Sequence, residues 1–374
     1  MQKQMNVDGV HDFYQFSNDD FRAIICSKRG KHVYASQTSN EGTWCACTGF
    51  RVHKSCYHLK KLNKLIIEFG EHKNMISENY PVSVDAINKA LMGGIPKGTL
   101  VGFYGKPQFG KTTTAIWSLL DIMADTKKNG VFIDTETGTG KFFIPDLLKR
   151  FNKNNGSDIG VKIIKIDYRK WLKHKSGILP YKIRFDDGKD HQIVVIDIGN
   201  LKEMFLLVGR PYNIDLDSAK PTVQSYDTDL WQNIWDIPLA QILDDPNSET
   251  EYCGFVLDSL TNLMKPFGTA NQAYPARDTA QSVLINQLAE LIDYYEDMIG
   301  INILHASSPP ADSKKRAIPV GGKSVGHGHK FIVQFSDAEE QGLNTIIHIR
   351  TYRLPTKQGN KTGYSLTINN NGVM

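Results

Sequence analysis

No uninterrupted apolar run in the 374 residues is long enough to cross a bilayer, and a composition of 40% hydrophobic and 22% charged residues is ordinary for a globular chain in water. The opening MQKQMNVDGVHDFYQF lacks the basic-then-apolar order of a secretory leader. An intracellular, membrane-free protein is therefore expected. No internal repeat or low-complexity tract interrupts the chain, whose length suffices for two or three domains. Acidic residues are almost missing between Phe21 and Lys64, where Glu41 alone faces nine lysines and arginines. A segment so one-sided in charge should seek a polyanion, although the net charge of the whole chain is only +4.

Cysteine is also scarce. Of five residues, three stand together in WCACTGFRVHKSCYHL, from Trp44 to Leu59. In a reducing compartment such clustering points to a metal rather than to disulfides. Cys45-x-Cys47, eight further residues, and Cys56-x-His58 supply four thiolate and imidazole ligands from two chain segments, the donor set of tetrahedral zinc. His53 is either a substitute ligand or a solvated loop residue. Cys26 and Cys253 read as buried strand residues. FRAIICSKRGKHVYASQTSNEGTW reads as two strands joined at Arg29-Gly30, and CYHLKKLNKLIIEFG as a helix. This unit resembles the SWIM zinc-finger family, a strand-strand-helix module with the pattern C-x-C…C-x-H. Zinc binding would contribute on the order of 10 kcal/mol to a domain so small. A module over residues 1–78, followed by a larger domain over 79–374, is the expected organisation.

A second motif lies in GFYGKPQFGKTTTAIWSLL. Gly105, Lys106, Pro107, Gln108, Phe109, Gly110, Lys111 and Thr112 fit G-x-x-x-x-G-K-[ST], after the apolar run LVGFY and before a helical pattern. Glycines let backbone N–H groups close around phosphates at a helix N-terminus. Lys111 would reach the β- and γ-phosphates of ATP, Thr112 would coordinate Mg2+, and Thr113 completes the candidate contacts. Next, VFIDTETG sets Asp134 and Glu136 at the end of an apolar strand, where a carboxylate can orient an attacking water. YCGFVLDSLTNL ends a third strand in Asp258, the expected acid beside magnesium. HQIVVIDIGN ends similarly in Asp197, but after YKIRFDDGKD it reads as the second strand of a hairpin turning at Asp187-Gly188.

SVDAINKALMGGIPKGTLVGFYGKPQFGKTT, FIDTETG, FVLDSLTNL and PVGGKSVGHGHKFIVQF occur in an order similar to that of the RecA/RadA recombinase family, its archaeal RadA branch in particular. The resemblance runs from about Pro81 to the C-terminus. It implies an α/β RecA-like core, a twisted and mainly parallel sheet flanked by helices, with ATP at the strand ends and filaments or other homo-oligomers on single-stranded DNA. It also implies Glu136 as the catalytic glutamate, with Lys111 and Asp258 as its catalytic partners, and a cytoplasmic, nucleoid-associated location in a prokaryotic, archaeal or viral setting.

Two loops compare with the family's DNA-contacting loops. The first, from Lys265, carries Arg277. The second, Ser307-SPPADSKKRAIPVGGKSVGHGHK, offers Lys314, Lys315, Arg316, Lys323 and Lys330 to phosphates. Several features depart from the family pattern. Gln108 and Phe109 replace small residues. His305-Ala306-Ser307 stands where Thr-Asn-Gln is usual, which makes His305 either a γ-phosphate sensor or a satisfied strand-end histidine. The linker has no Phe-x-x-Ala polymerisation peptide, and Phe267-Gly-Thr-Ala270 has that form only inside the first loop. An insertion of about residues 168–228 reads as a hairpin from Lys182 to Ile198, a short helix LKEMFLLVG and a loop, and its Tyr168 to Lys175 interleaves cations with aromatics. Three functions are compatible with these features: a DNA-dependent ATPase of recombination and repair; a recombination mediator that uses ATP as a switch and binds DNA or a partner recombinase through its zinc module; and a relative of KaiC or the hexameric helicases.

Overall fold

The computed structural model describes the strands at 2–4, 10–17, 20–26, 33–39 and 42–45, and residues 79–374 except 137–138, 169, 171–178, 210–211, 216–221, 226–236, 244–250, 268–273, 296, 307–324, 326–327 and 355–362. The chain divides into two compact units, Met1–Glu78 and Asn79–Met374. Among the described residues no helix is long and apolar enough to cross a membrane.

The first unit contains five strands, β1 (Gln2–Gln4), β2 (Val10–Ser17), β3 (Asp20–Cys26), β4 (Val33–Ser39) and β5 (Gly42–Cys45). They pair antiparallel in chain order. The expected pair of strands, β3 and β4, is thus part of a five-stranded meander, in which β5 pairs back on β4 with Ser39 level with Gly42 where a single strand had been read. Cys45 is buried at the end of β5. Cys47, Cys56, His58 and the expected helix lie outside the described residues.

The second unit begins with β6 (Asn79–Tyr80), α1 (Asp85–Ala90) and β7 (Ile95–Pro96). It then alternates strands and helices: β8 (Thr99–Gly105), α2 (Lys111–Thr126), β9 (Asn129–Asp134), α3 (Ile144–Asn155) and β10 (Gly160–Ile166). After them come β11 (Tyr181–Asp186), β12 (Gln192–Asp197), α4 (Leu201–Leu207) and a ribbon of β13 (Tyr212–Asp215) and β14 (Thr222–Ser225). The remainder is α5 (Pro238–Leu243), β15 (Tyr252–Asp258), α6 (Leu260–Leu263), α7 (Tyr274–Tyr294), β16 (Ile299–His305), β17 (Phe331–Gln341), β18 (Asn344–Arg353), β19 (Gly363–Asn369) and β20 (Gly372–Val373).

One sheet of eleven strands holds this unit together, in the order β11-β10-β12-β9-β15-β16-β8-β17-β18-β19-β20. From β10 to β17 every pairing is parallel, and the pairings beyond them at both edges are antiparallel. Every residue of β9 and β15 is buried, as befits strands covered on both faces. Val131, Ile133, Phe255 and Leu257 join a cluster with Met204, Leu239 and Leu284 from α4, α5 and α7. The alternate residues Phe132 and Val256 point to the other face, where α2 packs on β9 and β15. Trp117 of α2 meets Phe151 of α3 edge-on, ring centroids 5.0 Å apart.

One expectation is corrected here. The hairpin from Lys182 to Ile198 does not form: β11 pairs antiparallel with one side of β10 and β12 parallel with the other. Burial explains the separation. β12 reads QIVVID and is covered on both faces, so it enters the parallel interior, whereas all six residues of β11 are exposed and suit only an edge. The segment over 168–228 thus contributes a buried strand, β12, to the sheet.

Candidate functional site

Parallel register brings the strand ends together. Asp197 of β12 is level with Asp134 of β9, and Asp134 with Asp258 of β15. His305 at the end of β16 is level with Gly105 at the end of β8. Helix α2 starts from the same rim, because the loop between Gly105 and Lys111 reverses the chain within five residues.

That loop depends on glycine at two points. A Cβ on Gly105 would stand 2.4 Å from the Phe335 carbonyl oxygen, and Gly110 adopts φ +66 with Ile347 and Ile368 closed against it. Gln108 also adopts φ 66, a left-handed conformation that costs a non-glycine residue roughly 1–2 kcal/mol. Lys106, Pro107 and Gln108 are exposed, Phe109 and Gly110 half-buried, and Lys111 is 4% exposed. The Lys111 ammonium donates to the Lys106 carbonyl at 2.6 Å, reaching back across its own loop. Burial pushes its pKa down to about 8, against the pull of the Asp258 and Glu136 carboxylates. Thr113 lies half-buried on the first turn of α2.

Thr112 Oγ1 donates to Asp258 Oδ2 at 2.8 Å. Asp258 is 2% exposed, and burial, reinforced by Glu136, raises its pKa to about 7. A hydroxyl and a buried carboxyl thus meet, with the Glu136 carboxylate close enough to act on Asp258, although among the described residues no group of three or more His, Cys, Asp or Glu side chains is placed to hold a metal ion. Glu136 is held by Asp134, which the sequence placed beside it without a bracing role, and by residues that the sequence did not single out. Asp134 accepts from the Glu136 N–H at 2.9 Å and the Gly140 N–H at 2.8 Å, so the turn after β9 closes on its carboxylate. Ser259 Oγ donates to Glu136 Oε1 at 3.1 Å. Thr135 and Ser259 exchange hydrogen bonds between β9 and β15, Asn262 donates to the Thr135 carbonyl, and Thr261 Oγ1 accepts from the His305 N–H at 2.9 Å. The polar residues of DSLTN were the available signal: three side chains able to bond backbone, placed directly after the strand-end acid.

His305 Nε2 lies 3.7 Å from Glu136 Oε1. Burial, then the Lys111 charge, lowers its pKa, so the ring is neutral at pH 7. Arg277 is on the first turn of α7, not in a loop. Phe267 is buried in the core. Lys330 directly precedes β17, whose Phe331 is level with Val101. It therefore sits toward the start of β8, away from the rim that carries Lys111. Lys314, Lys315, Arg316 and Lys323 lie outside the described residues.

His329 anchors the chain where it re-enters the sheet. It is fully buried; Nδ1 meets the Val325 carbonyl at 2.9 Å and Nε2 the Asn302 amide at 3.0 Å. Burial lowers its pKa to about 4, whereas an unfolded histidine titrates near 6.5. Between those values the unfolded chain binds the extra proton, so stability present above pH 6.5 is lost as pH falls toward 4. Urea midpoints should show roughly 2 kcal/mol lost between pH 7 and pH 5 from this group. His329→Gln should shrink that difference, and an unchanged difference would place the acid sensitivity elsewhere.

Fold and loop together define an α/β protein with a strand–loop–helix unit of phosphate-binding form at the C-terminal rim of its parallel strands. No family model matches the chain. The chain is similar to Protein RecA of Fusobacterium nucleatum subsp. nucleatum, with 38% identity over 76 residues, 19% of each chain. It is also similar to the DNA repair and recombination protein RadB of Methanosphaera stadtmanae, with 36% identity over 89 residues, 23% of this chain and 34% of that one. It thus spans about a fifth and a third of these curated relatives. Among solved structures, a RadB recombinase aligns with 78% of this chain and 96% of its own at 14% identity and a TM-score of 0.47.

Proposed function

We propose that the second unit is a DNA-dependent ATPase of the RecA/RadA kind, acting on single-stranded DNA in recombination and repair. The observation that carries this reading is the convergence of Lys111, the Thr112–Asp258 hydrogen bond and the Asp134-braced Glu136 on one rim. Similarity to RecA and RadB over short stretches supports it. Backbone groups from Gly105 to Thr113 and the Lys111 ammonium would bind the β- and γ-phosphates of ATP. Thr112 and, through water, Asp258 would hold Mg2+, which neutralises charge on the phosphates. Glu136 would orient the attacking water and take its proton, held in position by Ser259 and the Asp134 turn.

His305 lies 3.7 Å from Glu136 and, in the chain, two residues before Ser307. In this reading its neutral ring senses the γ-phosphate through Glu136 and couples that state to Lys314, Lys315, Arg316 and Lys323 on single-stranded DNA. Arg277 would assist from α7. Zinc on Cys45, Cys47, Cys56 and His58 would fold the first unit as a basic module that presents DNA or a partner recombinase. The chain would work as a homo-oligomer or filament.

A mediator that holds ATP without turning it over is the second reading, favoured by His305-Ala306-Ser307 where the resembled family carries Thr-Asn-Gln. ATP hydrolysis by zinc-loaded protein, with and without oligo(dT), separates the two. The expected result is DNA-stimulated turnover, at least tenfold, that Lys314→Ala/Lys315→Ala/Arg316→Ala and zinc chelation both diminish. Tight ATP binding without turnover or stimulation would give the mediator instead.

A further inference from the structure

The exposed edge of the sheet beyond β10 has a composition that the nucleotide site does not use. In an antiparallel pair, residues opposite each other lie on one face. Lys165 faces Lys182, and Ile163 faces Phe185. Arg184 is the extra residue where the register shifts, between Ile183 and Phe185. Lys165, Lys182 and Arg184 are all exposed, and Phe185 is 48% exposed.

Asp197 fixes what else belongs to this face. Ile196 is level with Ile164, and both join the cluster under α4 and α7, so Asp197 and Lys165 project from the other side. Lys165, Arg184 and Lys141 are all close enough to pull on the Asp197 carboxyl. Lys141 belongs to the π-helical turn Thr139–Phe143, which packs on β9 and β12, and its ammonium lies 5.3 Å from the centre of the Phe142 ring. Phe142 is 72% exposed. Four cations and two exposed phenylalanines therefore belong to this stretch of surface, and three of the cations, Lys165, Arg184 and Lys141, act on the half-buried Asp197. Among the described residues none of the four is held in an ion pair. Asp186 and Asp187 are engaged at the far end of the strand: Asp186 lies 3.7 Å from Lys162, and Asp187 accepts from the Val161 N–H.

We propose that this face, built from Lys141, Lys165, Lys182 and Arg184 with Phe142 and Phe185, is a contact surface for single-stranded nucleic acid. The cations match a phosphate backbone, and exposed rings offer stacking to bases that only a single strand leaves unpaired. A protein partner would need an acidic surface complementary to all four cations. Lys141 and Phe142 follow Glu136 by five and six residues in the chain, so part of this surface is close in sequence to the candidate catalytic glutamate. The proposal extends the function above to a second contact for the same ligand class, and it stands whether or not ATP is turned over.

Fluorescence anisotropy with a labelled 30-nucleotide oligo(dT), over a range of salt, tests it on the full chain. Lys165→Ala/Lys182→Ala/Arg184→Ala should weaken binding at least tenfold and reduce the slope of log K against log salt by about two, since each phosphate contact on a single strand contributes about 0.7. Phe142→Ala/Phe185→Ala should weaken oligo(dT) binding about tenfold with the slope unchanged, and should leave a 30-base-pair duplex unaffected. ATP binding to the same variants, followed with a fluorescent analogue, should stay as in the unaltered chain, which separates this surface from the nucleotide site. All the altered side chains are exposed, so the fold should survive, and Lys182→Glu/Arg184→Glu should weaken binding further still. Unaltered oligo(dT) affinity and slope in both multiple variants would overturn the proposal. So would a weakening in the phenylalanine variant that is equal for duplex and single strand.

Discussion

Lys111→Ala should bind ATP at least a hundredfold more weakly while its melting temperature without nucleotide does not fall. The two halves of this expectation have one cause. Lys111 is 4% exposed, its ammonium donates to the Lys106 carbonyl, and burial has already lowered its pKa to about 8. An ammonium so placed contributes little to the fold, so its removal relieves desolvation. Opposite a triphosphate it becomes a paired, charge-assisted donor, and truncation would leave phosphate charge buried without it, a loss of about 3–5 kcal/mol. The lowered pKa adds a pH signature. Phosphate would hold the proton on Lys111, so affinity should be level below pH 8 and fall about tenfold per unit above it. Isothermal titration from pH 7 to pH 9.5 reads both effects. Full affinity in Lys111→Ala would move the nucleotide elsewhere.

Glu136→Gln should do the opposite: ATP affinity within about threefold of the unaltered chain, and turnover reduced by roughly 10²–10⁴, the usual range for loss of a positioned general base. The amide is the same size, can still accept from Ser259 Oγ, and leaves the backbone N–H free to bond Asp134. What it loses is the ability to take a proton from water. Single-turnover hydrolysis alongside equilibrium binding makes the distinction. If turnover persists, Glu136 is a structural acid. If binding collapses as well, its charge was holding the metal or the loop rather than the water.

The residues that carry these two expectations were legible because their motifs are short and local. A glycine-bounded loop ahead of Lys111 and Thr112, and acids at the ends of apolar runs, follow from what backbone and side chain can do within a few residues. The bracing of Glu136 was not legible. Asp134, Thr135, Ser259, Thr261 and Asn262 come from chain segments more than a hundred residues apart, and their pairing depends on β9 and β15 being neighbours in register. Arg277 was misread as a loop residue because a polar, proline-containing stretch does not show that α7 already begins at Tyr274.

By itself, then, the sequence determined the strand–loop–helix unit, the strand-end acids, the basic and cysteine-rich character of the N-terminal segment, and an α/β order of elements. Each depends on local stereochemistry or on hydrophobic period. Only the tertiary structure decided that KIRFDD and IVVID separate to opposite sides of β10, that Asp197, Asp134 and Asp258 line one rim, and that Lys141 and Phe142 share a face with Lys182 and Phe185. The reason is physical. Strand order minimises exposed apolar surface over the whole sheet, so a strand covered on both faces moves inward and one exposed throughout stays at the edge. That choice depends on every other strand at once.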